Sequence, residues 1–230
     1  MSEIVRPNAF SHNNAISSLD GRFRGKVENI AIYFSEFATN RYRIQVEIEY
    51  LVEFLSVIGK PLDPLVIKSL RNIYKNFSDS DQAMIWQKDE IINHDTKAIE
   101  YFLQAKFDEL GYSQLTNFIH FGLTSSDIDY TALALQLREC NKNIITPTLE
   151  SLITVLGQMS EENRNTLMLA RTHGQPAVPT TAGKELANFV SRLIEHKTVL
   201  KNTKFASKVN GAVGNYNALY AAYPDVDWPN

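Results

Sequence analysis

Arg171, Thr172, His173 and Gln175 put a cation, a hydroxyl, an imidazole and an amide within five positions. They lie in the run Leu169-Ala170-Arg171-Thr172-His173-Gly174-Gln175-Pro176-Ala177. Imidazole is the side chain whose ordinary pKa lies nearest neutrality, so a His held in a fixed polar setting can give or take a proton at working pH. Gly174 loosens the backbone and Pro176 removes a donor, so neither continues a helix. The run is expected to form a bend between two helical patterns. A structural His bonding loop carbonyls fits the same residues, and the rest of the chain must decide between the two.

Three more polar clusters precede it. In Ser17-Ser18-Leu19-Asp20-Gly21-Arg22-Phe23 the Asp-Gly pair marks a turn. That turn exposes Arg22, whose planar fork suits phosphate or carboxylate; a solvated turn arginine is the plainer alternative. Asn93-His94-Asp95 falls between two helical patterns. Asp95 is expected to cap the second of them, where free amides and the macrodipole favour an anion. Thr124-Ser125-Ser126-Asp127 has capping-box spacing, and its hydroxyls and first-turn amides would cradle a carboxylate or simply cap a helix.

The elements that must carry these clusters read as helices. Ile44, Ile48, Leu51, Val52 and Leu55 form one apolar stripe between about 35 and 58, ended by Gly59. A second helix, capped by Asp63, runs to Asn76 with Leu65, Ile67, Leu70 and Ile73 inward, and a third runs from Ser78 to about Ile92. A fourth runs from about Thr96 to Leu110. A very long pattern, 126 to 163, has Leu133, Leu137, Ile144, Ile145, Leu149, Leu152, Val155, Leu156 and Met159 on its apolar face. Pro147 predicts a kink near Ile144. Thr180 or Thr181 starts a last helix to about Lys204. Asn210 to Ala218 reads as a glycine-punctuated loop without dinucleotide-binding spacing, after which no closing helix is expected. No segment alternates convincingly as a strand. The fold class is all-α, with a flexible segment at 1–16, a helical domain at 17–123 and the start of a helical bundle at 124–230.

The 230 residues are 44% hydrophobic and 21% charged, with formal net charge −3, so no basic surface argues for nucleic acid or an anionic membrane. A single cysteine, Cys140, leaves no internal disulfide and fits a reducing compartment; its helical setting suits a buried, inert thiol. No signal-peptide core and no apolar run of about 18 residues is found, so a cytoplasmic protein is expected.

Together, Leu19-Asp20-Gly21-Arg22, Asn93-His94-Asp95, Thr124-Ser125 and Arg171 to Ala177 resemble the adenylosuccinate lyases of the aspartase/fumarase superfamily. The likeness extends from Ser17 onward and includes Gly211 to Ala222 and Tyr223-Pro224-Asp225-Val226-Asp227-Trp228. The Thr-His-Gly-Gln-Pro-Ala run also suits argininosuccinate lyase. The resemblance implies a β-elimination that releases fumarate from adenylosuccinate, leaving AMP, and from the succinylated carboxamide intermediate of purine synthesis. It implies no cofactor and no metal. His173 would be the general acid. Arg22, Phe23, Asn93, His94 and Asp95 would contact the nucleotide side, and Thr124 and Ser125 the succinyl carboxylates.

Phe23 stands where relatives often carry Tyr, and Ser126 where they often carry an acid. The family's base is a Ser on a Gly-Ser-Ser-x-Met-Pro-x-Lys-x-Asn-Pro loop, which is not in this sequence. The chain is therefore expected to be the N-terminal part of a longer enzyme, inactive alone, that assembles as a homotetramer with shared active sites. A helical interaction protein that kept the scaffold without the chemistry is the alternative from another class.

Overall fold

Caps and apolar stripes divide the first part of the chain into short helices. The computed structural model describes residues 15–229, so most of the segment expected to be flexible, 1–16, lies outside the described residues. The helices α1 (Arg24–Phe34), α2 (Glu36–Val57), α3 (Pro64–Lys75), α4 (Asp79–Ile92) and α5 (Asp95–Glu109) follow in order. The Ser35 hydroxyl accepts the Ala38 N–H at the start of α2, and the Asp63 carboxylate accepts the Leu65 N–H beside Pro64 in α3. Ser78 and Asp81 form a reciprocal capping box at α4. Each side-chain oxygen satisfies an amide that a first helical turn leaves without a partner.

The core is built on α2. Ile44, Ile48, Leu51 and Leu55 recur at helical spacing and are buried, in one cluster with Leu70 of α3, Ile85 of α4, and Ile99, Leu103 and Phe107 of α5. Such apolar surface contributes about 25 cal/mol per Å² removed from water. Leu65, expected inward, is exposed. The stripe of α3 that packs on the core runs through Val66, Leu70, Ile73 and Tyr74, and Leu65 lies one position off it.

A 3₁₀ turn (Ser113–Phe118) leads to α6 (Ser125–Cys140), a π-helical turn (Asn141–Ile145) and α7 (Thr146–Glu162). The π turn lies where the kink was expected. Pro147 has no N–H for the carbonyl four residues back and its ring would crowd that carbonyl, so the wider turn absorbs the mismatch. The Asn141 side chain braces it, donating to the Leu200 carbonyl at 3.2 Å and accepting from the Thr146 hydroxyl at 3.2 Å. Cys140, at the end of α6, is buried, and burial pushes its thiol pKa up.

The described residues form two compact units, 15–136 with 206–229, and 137–205. In the second, α7 runs antiparallel to α8 (Ala182–Asn202). Gly183 at the start of α8 meets the end of α7, where a Cβ would fall 2.4 Å from the Ser160 carbonyl oxygen, while Lys197 reaches Glu150 at the other end. Thr181 caps α8 by accepting the Lys184 N–H.

Two findings correct the sequence expectation. The bend around His173 is an antiparallel β-hairpin, β1 (Leu167–Thr172) with β2 (Gln175–Thr181). Both faces of the ribbon are largely exposed, which removes the alternation that betrays a half-buried strand. Pro176 and Pro179 flank the irregularity in its register, where ladder bonds are dispensable. The tail also carries a helix, α9 (Asn217–Ala222), which seats Leu219 on Gly122 so closely that a Cβ there would lie 2.5 Å from the Leu219 side chain. Beyond it, Tyr223 and Trp228 join Phe54 and Phe121 with ring centroids 5.1 to 6.4 Å apart. Among the described residues, every regular element outside the hairpin is a helix.

Leu152, Val155 and Met159 of α7 and Phe189, Ile194 and Val199 of α8 are exposed, and no residue of α7 is buried. Large apolar side chains left in water favour association. The purified chain is expected to sediment above its monomer mass of 26.1 kDa, increasingly so at higher concentration. A single monomeric species at every concentration would contradict this.

Candidate active site

Arg22 closes a turn held by the Gly21 N–H on the Ser17 carbonyl (2.9 Å) and the Phe23 N–H on the Ser18 carbonyl (3.0 Å). Its guanidinium stacks on the Phe23 ring, 4.5 Å from the centroid. Among the described residues it pairs with no carboxylate, so its fork remains available to an anion.

Asn93 ends α4 in the left-handed conformation (φ 51°). The extended backbone that a cap requires therefore falls on His94, not on Asp95 as expected. His94 Nδ1 accepts the Lys97 N–H at 3.2 Å. An accepting Nδ1 carries no proton, which leaves the ring proton on Nε2 as a donor at an exposed helix start. Asp95 is the first residue of α5. It accepts the Thr96 N–H at 2.8 Å and pairs with Arg43 Nη2 at 2.9 Å. Partial burial opposes its charge, but Arg43 and the Thr96 N–H outweigh that and hold its pKa below the usual carboxylate range. Arg43 and Asp95 line a cleft of about 400 Å³ with Asn40, Trp86 and Asp89.

Thr124 and Ser125 lie half-buried at the start of α6. The expected capping box is seen in its carboxylate half, with Asp127 Oδ2 accepting the Thr124 N–H at 2.9 Å. Asp127 does far more than cap. It is fully buried, and it also accepts from Lys208 Nζ (2.6 Å), the Asn210 N–H (3.1 Å) and the Gly211 N–H (3.1 Å). Those donors overcome the effect of burial and lower its pKa.

A second buried acid was not singled out from the sequence. Glu47, in α2, is 1% exposed; its Oε2 accepts the His120 N–H at 3.1 Å and its Oε1 lies 2.5 Å from His120 Nδ1. The contact holds His120 left-handed (φ 58°), four residues before Thr124. Burial alone would lower the His120 pKa, but the hydrogen bond and charge of Glu47 outweigh it and raise it. Burial raises the Glu47 pKa against the pull of His120. Both directions favour keeping a proton on the pair.

His173 and Gly174 form the hairpin turn between Thr172 and Gln175, with φ of 51° and 74°. Positive φ at both central residues defines a type I′ turn, which matches the twist of the strands but suits Asn or Gly better than His. The imidazole lies exposed at the hairpin tip. His173 belongs to the second unit, and the seven other predicted residues belong to the first.

The profile of the lyase family matches residues 21–228, and the chain belongs to that family. It is 44% identical to an adenylosuccinate lyase of Dictyostelium discoideum over 93% of this chain and 48% of the relative. It is 43% identical to that of Legionella pneumophila over 94% of this chain and 48% of the relative. With the Escherichia coli K12 adenylosuccinate lyase the identity is 39% over 93% of this chain and 48% of the relative. The chain thus spans about half the length of the curated relatives it matches. Among solved structures, a fumarate lyase from Mesorhizobium sp. BNC1 shares the fold with a TM-score of 0.70 and 22% identity, over 84% of this chain and 44% of that one. So does a β-carboxy-cis,cis-muconate cycloisomerase from Acinetobacter calcoaceticus, with a TM-score of 0.70 and 21% identity, over 85% and 46%.

The Glu47–His120 pair makes stability depend on pH. With both pKa values raised, the folded chain holds a proton that the unfolded chain releases, so stability falls as pH rises. The contribution of His120 is fully present below the ordinary value of 6.5 and is lost as pH climbs through the higher folded value. Melting temperature is expected to decline as pH rises above about 6.5, the ordinary histidine value, and less steeply in Glu47→Gln. Equal slopes for the two proteins would refute the coupling.

Proposed function

We propose that this chain is the N-terminal part of an adenylosuccinate lyase acting in purine and AMP biosynthesis. The observation that carries the reading is 39 to 44% identity to adenylosuccinate lyases over 93 to 94% of the chain, which takes in all four polar segments. The reaction breaks the bond between the purine nitrogen and the succinyl carbon. A base takes the proton from the neighbouring carbon, the electron pair of that C–H bond becomes the fumarate double bond, and the departing nitrogen is protonated. The same elimination acts on the succinylated carboxamide intermediate. No cofactor is required.

His173 is the general acid, which suits an imidazole fixed at an exposed hairpin tip. Arg22, Phe23, Asn93, His94 and Asp95 bind the nucleotide side. The free Arg22 fork and the Nε2 donor of His94 at a helix N-terminus suit its phosphate and polar edges. Thr124 and Ser125, at the N-terminus of α6, bind the succinyl carboxylates, on which negative charge grows in the transition state. The base Ser comes from a segment outside this sequence. The exposed stripes of α7 and α8 are covered in a cytoplasmic homotetramer whose subunits share active sites.

In the complete enzyme, His173→Gln is expected to lower turnover about 10²- to 10⁴-fold, the usual contribution of an acid–base group, with little change in melting temperature. Fumarate release, followed for adenylosuccinate and argininosuccinate in parallel, reads both points. A near-normal kcat removes His173 from the mechanism, and release from argininosuccinate alone overturns the substrate assignment.

A further inference from the structure

Arg43 stands near the middle of α2, is largely buried, and belongs to none of the polar segments that the sequence singles out. Its fork faces three directions. Nη1 donates to Asn40 Oδ1 one turn back at 3.3 Å, and Asn40, itself buried, is held by Gln82 of α4 at 3.2 Å. Nη2 meets Asp95 Oδ2 at the first residue of α5, 2.9 Å away. Nε meets Asp129 Oδ1 at 2.8 Å. This last contact is an ion pair without hydrogen-bond alignment, between two atoms sealed from solvent. There water screens least and attraction is strongest.

We infer that Arg43 is a positioning residue, locking the Asn93-His94-Asp95 segment to the first turns of α6 so that the two groups of substrate contacts keep one geometry. The inference rests on the lyase reading for its effect on catalysis, though not for the coupling itself. Asp129 lies one turn after Ser125 on the same face of α6, so fixing Asp129 fixes the helix start that presents Thr124 and Ser125. Asp95 follows directly on Asn93 and His94.

Charge adds a second reason. Asp95, in the first turn of α5, and Asp129, one turn into α6, are two carboxylates close to helix starts proposed to receive an anionic substrate. The guanidinium neutralises both. Lysine supplies the charge as a single point and cannot hold two carboxylates and an amide in one plane. Geometry and charge are therefore separable by substitution.

The first test measures coupling in the 230-residue chain. Asp129→Asn, on α6, is expected to speed hydrogen exchange of the Thr96 and Lys97 amides on α5 at least about tenfold, with Ile48 and Leu51 in the core unchanged. Unchanged exchange at 96 and 97 overturns the inference. The second test uses the complete enzyme. Arg43→Lys and Asp129→Asn are each expected to raise KM for adenylosuccinate about tenfold or more, with kcat changed far less and melting temperature within a few degrees. Full recovery of KM in Arg43→Lys would reduce Arg43 to a charge and overturn the positioning role. A wild-type enzyme that releases no fumarate refutes the lyase reading instead, and the exchange measurement still decides the coupling.

Discussion

A single buried carboxylate ties the distant parts of the first unit together. Asp127 has no exposed surface, and a charge so placed is tolerable only if its oxygens are fully engaged. It meets that condition with the Thr124 N–H from its own helix start and with Lys208, Asn210 and Gly211 from a segment more than 80 residues later. The same contacts return residues 206–230 to the first unit, where Leu219, Tyr223 and Trp228 complete the aromatic side of the core. Gly211 accepts this approach with φ of 81°, a conformation that a side chain would strain.

The buried polar anchors of the first unit gather at helix starts. Asp127 fixes the first turn of α6, Glu47 fixes the left-handed turn at His120 just before it, and Arg43 fixes the first turn of α5. Each anchor is buried or nearly so. The second unit contributes differently. Its hairpin holds one imidazole in the left-handed region, and its helices leave large apolar side chains uncovered.

Local features were legible in the sequence. The caps at Asp63 and Thr181, the start of the helix at Ser78, the apolar stripe of α2 and the interruption before Pro147 depend on residues within a turn or two, and each lies close to its expected place. The hairpin was hidden because an exposed ribbon carries no alternation and because two prolines disguise it. α1 was passed over because its only buried residue is Tyr33, which gives no stripe to detect. The cap of α5 was placed one residue late, since the left-handed turn at Asn93 shifts the extended backbone onto His94. The long-range anchors were not legible at all. Glu47 and His120 are 73 residues apart, Arg43 and Asp129 sit in helices that nothing local connects, and only the fold brings them together.

If the Asp127 carboxylate is what holds the 206–230 segment and the α6 start in place, neutralising it should release that segment first. The direct measurement is limited proteolysis of the Asp127→Asn chain, with the cleavage sites identified by mass. New cuts between 205 and 216, at least about tenfold faster than in the unaltered chain, are expected while α2 to α5 stay resistant. Equal resistance at 205–216 in both proteins, or simultaneous cleavage throughout the helices of the core, would contradict the account.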